Sequence, residues 1–571
     1  MNAHRITSLA LGTLLALAPL ATQAQSAPGA AVVPSPEPSP VTPVAPTVAP
    51  GYNAPDVRPT SADIVGVTQQ PFVGLSLGDA IGMALARNPD LAVAASNTRI
   101  AGYQVVAAKG NYDVRFAIEP SVSHSENAPE NAFFSGPNFG PLVQNTQTLQ
   151  AGVNGQLPAG TQYSVSLQQQ RIDNNTVINA FNPYYLASLN VSVTQPLLKN
   201  AGPGNPAHHQ LDLAIVNQRA SAAQTLASVS QTISQVEDSY WDLVAAWRNV
   251  AIQEDALKQA VAQQNSNVRL AKRGAAAPID AVESSTQVAV YQDDVFSALQ
   301  TVSQLQNQIK SLILDNPADP IWEANLMPTT PVLQLPAAPS LPALLAAAMK
   351  NRPEIAQAQA QQQQADVNLA YSKNQLQPQV DLQLAYSGNG LAGNALPPIG
   401  GVFGSATPPP YLGGTYSQAY GNIGRFPTYS AGVVISTPIG NNTARADLAA
   451  AGESERIAKV TTANVDQRIV FDVRNALQSY QSALSRLYAA HRAREAAQQV
   501  YDSEQRRFKA GASTTFLVLQ RQVELVQDEG RELQAQTDLN KAIVELQRVD
   551  GSILTVNNVS LDHLGQGAAH P

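Results

Sequence analysis

The chain has 571 residues, a net charge of −8, 13% charged and 44% hydrophobic residues, and no cysteine. Its length leaves room for several domains, but a mean hydropathy of −0.13 excludes a polytopic helical membrane protein, and no stretch after the N-terminus approaches the roughly 18–20 consecutive apolar residues of a spanning helix. The acidic balance, without a basic stripe, argues against nucleic acid as a partner; the missing cysteine removes disulfides, thiolate zinc sites, a cysteine nucleophile and an N-terminal lipid anchor.

Residues 1–24 read as a secretory signal. Arg5 supplies the positive region, Ile6 to Leu20 the apolar run, and Thr22-Gln23-Ala24 a small-x-small cleavage site, with the run too short for a membrane anchor. Residues 25–74 are dominated from Pro28 to Pro59 by Pro, Ala, Val and Ser. Such a segment cannot pack a core and reads as a disordered periplasmic spacer.

The rest repeats one plan: a first unit over 75–316, a Pro-rich linker over 317–340, a second unit over 341–555, and a tail over 556–571. Leu77-Gly78-Asp79-Ala80-Ile81 leads to Asn88-Pro89-Asp90-Leu91, and Leu341-Pro342-Ala343-Leu344-Leu345 leads to Arg352-Pro353-Glu354-Ile355. Each entry is followed by strand-like alternation. Val114, Phe116, Ile118 and Val122, then Leu189, Val191 and Val193, alternate with polar residues; Val380, Leu382, Leu384 and Tyr386, then Ala431, Val433 and Ile435, do the same in the second unit. One apolar and one polar face over about 9–11 residues is the signature of membrane-barrel strands. The aromatics Phe133, Phe134, Phe181, Tyr184, Tyr185, Tyr411, Tyr416, Tyr420 and Tyr429 are candidates for interfacial girdles. The first unit carries a further hairpin, Leu149 to Leu157 and Tyr163 to Leu167 about a turn at Pro158-Ala159-Gly160, expected to decorate an extracellular loop rather than to enlarge the barrel.

Long helices come next. Ala207 to Arg273 contains neither Pro nor Gly, and Ala444 to Ala510 only Gly452, so each predicts a rod on the order of 100 Å. Leu226, Val229, Ile233, Val236, Tyr240, Leu243, Trp247, Val250, Glu254, Leu257 and Val261 alternate by threes and fours, as do Val470, Val473, Leu477, Tyr480, Leu484 and Leu487, which is a heptad seam. Breaks at Gly274–Pro278 and Gly511–Thr515 precede returning helices that run to Leu314 and Val549, giving two antiparallel hairpins with a glycine at each tip. The tip motif itself is doubled: Arg269-Leu270-Ala271-Lys272-Arg273-Gly274-Ala275 matches Arg506-Arg507-Phe508-Lys509-Ala510-Gly511-Ala512.

The doubled entry and tip motifs, placed around strand pairs that end Gln195-Pro196-Leu197 and Thr437-Pro438-Ile439, resemble the TolC family of outer-membrane efflux and secretion channels over about residues 75 to 555. The resemblance implies a mixed α and β membrane protein with a two-fold internal repeat. It implies a homotrimer whose outer-membrane β-barrel, four strands from each protomer, continues into a long periplasmic α-helical barrel with short helices stacked to match the long ones. It implies a channel and not an enzyme, working in tripartite efflux or type I secretion. The partners would be a periplasmic adaptor (membrane fusion) protein, an inner-membrane transporter and outer-membrane lipid, and the location the cell outer membrane with a periplasmic extension. The strands agree: they are too few per chain to close a barrel, and an open edge cannot sit in lipid. Two other classes share some of these features, a secreted or cell-surface structural coiled coil with a small soluble head and a stand-alone diffusion porin, the latter opposed by the long rods.

No catalytic constellation, cofactor site or metal site emerges. His208-His209 lacks the three or four ligands a metal needs. Gly274, Ala275, Gly511 and Ala512, with the bases Arg269, Lys272, Arg506 and Lys509, are candidate adaptor-docking tips, although bases ending a helix also complement its dipole. Asp280 and Glu283, three apart beyond the first tip, share a helical face. They are candidates for a channel constriction, a ring of six carboxylates in a trimer that favours cations; acids in a first helical turn also favour the dipole on their own account. The matching positions in the second unit, Leu517 and Gln520, are neutral.

Overall fold

The computed structural model describes residues 71–128, 140–176, 178–330, 340–396 and 408–559. The signal, nearly all of the Pro-rich segment, Phe133, Phe134 and the last residues of the tail lie outside the described residues.

Four helices set the frame: α3 (Pro206–Lys272, 67 residues), α4 (Pro278–Ile313, 36 residues), α8 (Asn442–Lys509, 68 residues) and α9 (Thr515–Val549, 35 residues). At about 1.5 Å per residue the long pair each extend about 100 Å, and their return helices cover only about half of that. The other half is covered by α2 (Pro89–Lys109) beside α3 and by α6 (Pro353–Gln375) between α3 and α8. Asn88 marks one junction: its Oδ1 accepts from the Asp90 and Leu91 amides to cap α2, and its Nδ2 donates to the Leu312 carbonyl at the end of α4. Two short helices, α1 (Leu77–Arg87) and α5 (Leu341–Asn351), lead into α2 and α6.

The heptad seam packs where its side chains are large. Val229, Ile233, Val236, Tyr240, Leu243, Trp247 and Val250 are all at most 2% exposed. Toward the tip Leu257 and Val261 leave the buried stripe, and Ala256 and Ala260 take it over, letting backbones approach closely. The main core surrounds the middle of α3. There β1 (Phe72–Leu75) pairs in parallel with β6 (Asn325–Pro328), strands in stretches that the sequence reads as spacer and linker. Tyr240 and Trp247 anchor the pair: Tyr240 Oη donates to the Leu75 carbonyl at 3.1 Å, and Trp247 Nε1 donates to the Leu326 carbonyl at 2.9 Å. The buried Lys310 ammonium donates to the Trp322 and Ala324 carbonyls, and burial lowers its pKa.

The second layer is a six-stranded sheet in the order β2-β3-β4-β5-β7-β8. Its strands are β2 (Arg115–Asn127), β3 (Leu142–Gln156), β4 (Gln162–Asn174), β5 (Phe181–Pro196), β7 (Gln379–Ala395) and β8 (Phe426–Ser436), with every neighbouring pair antiparallel. This corrects two expectations. Among the described residues this sheet has six strands and not four, and the additional hairpin, β3–β4, lies within it between β2 and β5. The physical reason is twofold. The alternation of β3 and β4 is in phase with their neighbours, and their turn is fastened to the helical end of the sheet. Gly202 N–H donates to the Ala159 carbonyl and Asn205 Nδ2 to the Pro158 carbonyl, so this turn sits beside the start of α3 rather than at the loop end. A short helix, α7 (Tyr416–Gly421), packs on β5 and β7, burying Ala187 and Ala392. Among the described residues, no helix is long and apolar enough to cross a membrane.

Candidate functional site

The two hairpin tips are built alike, from the chain direction upward. At the end of α3, Gly274 takes φ +66; its N–H donates to the Ala271 carbonyl, and the Ala275 N–H reaches back to the Leu270 carbonyl. At the end of α8, Gly511 takes φ +74, with Gly511 N–H on the Phe508 carbonyl and Ala512 N–H on the Arg507 carbonyl. Both are Schellman closures, which require a left-handed residue and so select glycine. Gly274, Ala275, Gly511 and Ala512 are exposed, as are the bases Arg269, Lys272, Arg506 and Lys509. Beside them Ile279, Val282 and Phe516 are 56–62% exposed, so each tip presents apolar side chains next to positive charge.

The two acids past the first tip part company. Asp280 Oδ2 accepts from the Ala277 N–H at 3.1 Å, which closes the start of α4, and its carbonyl accepts from Ser284 Oγ. Glu283 instead borders a cleft of about 600 Å³ between α4 and α9, lined also by Gln287, Phe516, Gln520 and Glu524. Thus Asp280 is engaged in its own helix start, while Glu283 lies exposed at the edge of the cleft. The second hairpin replaces the acid cap with Thr514, whose hydroxyl accepts from the Leu517 N–H.

The sheet separates its two faces along every strand. One rung runs Phe116, Val153, Val165, Val191, Tyr386, Tyr429 from edge to edge, and the next carries Ile118, Ala151, Leu167, Leu189, Gly388 and Pro427. The opposite face carries Arg115, Asn154, Ser164, Ser192, Ala385 and Ser430 on one rung and Glu119, Gln150, Gln168, Ser188 and Asn389 on another, which ends at Phe426 on β8. On the apolar face Phe116, Ile118, Val433 and Ile435 are 56–71% exposed. A contiguous apolar surface of this extent calls for a non-aqueous neighbour. Among the described residues, no strand lies on the outer side of the edge strands β2 and β8.

Several candidate girdle aromatics are held by the protein itself. The Tyr185 and Tyr416 rings meet edge-on at 4.7 Å, Tyr420 donates to Gln169, and Arg425 lies over Tyr411 at 4.3 Å. Tyr429 stands exposed next to Tyr386. His208 pairs with Asp212, and His209 stacks on Tyr371 and bonds Asn368; no cluster that could hold a metal occurs among the described residues. One cluster escaped the sequence reading. Arg352, in the second entry motif, is 7% exposed and bonds Glu354 at 2.9 Å and Asp472 of α8 at 3.0 Å. It fastens the α5–α6 junction to the long helix α8, whereas Asn88 ties the α1–α2 junction to the end of α4. Its only sequence sign is an arginine directly before a helix-starting proline.

Comparison with known proteins gives the same architecture. Residues 344–552 match the outer membrane efflux protein family. The outer-membrane channel OprN superposes with a TM-score of 0.59 at 17% identity, over 88% of this chain and 98% of its own. The Campylobacter jejuni CmeC outer-membrane channel gives 0.59 at 13% identity over 90% and 100%, and the Neisseria gonorrhoeae MtrE outer-membrane channel, in its open state, 0.56 at 19% over 88% and 98%. No curated protein matches the chain. The fold is thus that of these outer-membrane channel protomers, a sheet continued by long paired helices. The match to the outer membrane efflux protein family falls on the second half of the chain, from α5 to the end of α9.

Proposed function

We propose that three copies of the chain form one duct, the exit channel of a tripartite efflux or type I secretion system. The observation that carries this reading is the agreement of the unsatisfied flanks. In the sheet, β2 and β8 are bare edges, and a spanning sheet must close on itself because lipid offers no hydrogen bonds. In the helical layer, α3 packs on α2 and α6, and α6 on α8. The outer helices α2 and α8 leave Val93, Ile100, Tyr103 and, on α8, Ile457, Val460 and Phe471 52–66% exposed. Both layers are therefore incomplete on the same two sides, β8 with α8 and β2 with α2. A rotation that joins one pair joins the other, as a closed cyclic assembly requires.

In this assembly the apolar sheet face meets outer-membrane lipid and the polar face lines the lumen. The tips, with Gly274, Ala275, Gly511, Ala512 and the bases Arg269, Lys272, Arg506 and Lys509, receive a periplasmic adaptor that couples the duct to an inner-membrane transporter. The apolar side chains Ile279, Val282 and Phe516 supply buried area for that contact, and the bases supply steering. Asp280 and Glu283 narrow the entrance. Photo-crosslinkers at Ala275 and Ala512 in intact cells test the docking: capture of a periplasmic protein supports it, and a membrane-inserted trimer that captures nothing contradicts it.

A further inference from the structure

We infer that the β3–β4 hairpin makes the membrane barrel eighteen-stranded, with an exit about 1.5-fold wider than four strands per protomer would give, since barrel diameter grows roughly linearly with strand number. The inference rests on the trimeric channel reading and adds the width and character of its exit.

The position of the apolar belt carries the argument. On β2 the belt runs from Phe116 toward the loop end, to Val122; on β8 it runs from Tyr429 toward the helical end, to Ile435. Phe116 and Tyr429 share one rung, so the belt slides along the sheet. The intervening strands fall on the same incline: Leu149–Val153 on β3, Tyr163–Leu167 on β4, Leu189–Val193 on β5 and Leu382–Tyr386 on β7. A belt facing lipid is level with the membrane, so its incline across the strands measures their tilt. From β2 to β8 it shifts by about three rungs of about 6.8 Å over five steps of about 4.8 Å, a tilt of about 40°, within the 35–45° of membrane barrels. With the hairpin left out, the same shift falls over three steps and the tilt becomes about 55°, steeper than barrels adopt. The belt fits lipid only with β3 and β4 in the wall.

Closure follows from the same geometry. Six strands alternate in direction, so β8 of one copy meets β2 of the next antiparallel, as outer-membrane barrels require. Continuing the incline by one step sets Val433 opposite Ile118 of the next copy. The hairpin adds to the lumen Thr148, Gln150, Asn154, Ser164, Ser166 and Gln168, all uncharged and hydrophilic. The hairpin therefore widens the exit with a neutral hydroxyl and amide surface suited to large hydrophilic cargo.

The cysteine-free chain permits a direct test by paired cysteines in the detergent-extracted trimer with a short thiol crosslinker. Phe116→Cys with Val153→Cys, and Val165→Cys with Val191→Cys, should link within one chain; Val433→Cys with Ile118→Cys should link between copies and give reducible dimers and trimers. Phe116→Cys with Val191→Cys should not link, because two strands separate them; efficient linkage of that pair would put β2 beside β5 and overturn the eighteen-stranded barrel while leaving the channel intact. Absence of any membrane trimer would instead defeat the channel reading. As a second readout, polyethylene glycols of graded size, added from the outer side of a planar bilayer, should enter the intact channel up to a hydrodynamic diameter about 1.5-fold larger than in a variant lacking residues 140–176. Equal limits in two assembled channels would also overturn the inference.

Discussion

Replacing Val191 with arginine isolates the claim that the apolar sheet face meets lipid. Val191 stands in the middle of β5, between Val165 of β4 and Tyr386 of β7, on the rung shared by all strands and near the middle of the belt. An arginine on the lipid face at mid-membrane costs about 2–4 kcal/mol per copy, or roughly 30- to 1,000-fold in the folding equilibrium. The adjacent Ser192 points to the other face, where its hydroxyl meets Ser164 Oγ at 2.8 Å. Ser192→Arg loses one neutral hydrogen bond, about 0.5–1.5 kcal/mol, and its charge remains in water. Leu382→Arg, within the β7 stretch of the same belt, also sets charge against lipid and should cost up to about 2–4 kcal/mol. Urea titration of each variant refolded into vesicles should show larger losses for Val191→Arg and Leu382→Arg than for Ser192→Arg. Equal losses for Val191→Arg and Ser192→Arg, or the reverse order, would refute the assignment of the faces.

Three further outcomes are expected. Gly511→Val forces a branched side chain into a left-handed position, a strain of about 1–2 kcal/mol at an exposed tip; export should be lost while membrane trimers persist, as export assays and detergent extraction would read. Glu283→Gln should lower cation selectivity in planar bilayers more than Asp280→Asn, because the Asp280 carboxylate is occupied by the Ala277 N–H; Asp280→Asn should instead loosen the start of α4, and the opposite ranking would reassign the constriction. Glu237 is fully buried on α3 and accepts from Asn557 Nδ2 at 3.0 Å, while its Oε2 is unpartnered; burial pushes its pKa from 4.5 up to about 7. The folded state then holds a proton that the unfolded chain releases, so this group's contribution falls as pH rises from about 4.5 to about 7, by about 3 kcal/mol. In thermal melts Glu237→Gln should remove that slope, and an unchanged slope would place it elsewhere.

Much of this architecture was legible because its signals are long or doubled. The two rods announce themselves through the absence of Pro and Gly over most of their length, and the tips through Gly274 and Gly511, which satisfy one backbone requirement twice. The strands of the β3–β4 hairpin were legible too, but not their place. Alternation gives a strand's faces and says nothing of its neighbours; only the hydrogen bonds from Gly202 and Asn205 to the turn put it at the helical end. The β1–β6 pair escaped because four-residue strands carry no periodicity, and their stability comes from Tyr240 and Trp247, more than 70 residues away in sequence. The acids near the tip were found by spacing, yet spacing could not tell that Asp280 folds back on its own helix while Glu283 faces the cleft. Arg352 was quoted within a motif, but its link to Asp472, 120 residues on, is visible only in the fold.

If copies of this chain form a continuous water-filled duct across the outer membrane, single-channel recording of the purified protein in planar bilayers should show discrete, long-lived conductance steps, with cation selectivity that falls when Glu283 is neutralised. A protein that inserts no conductance and partitions with soluble material, its apolar sheet face covered by protein instead of lipid, would contradict it.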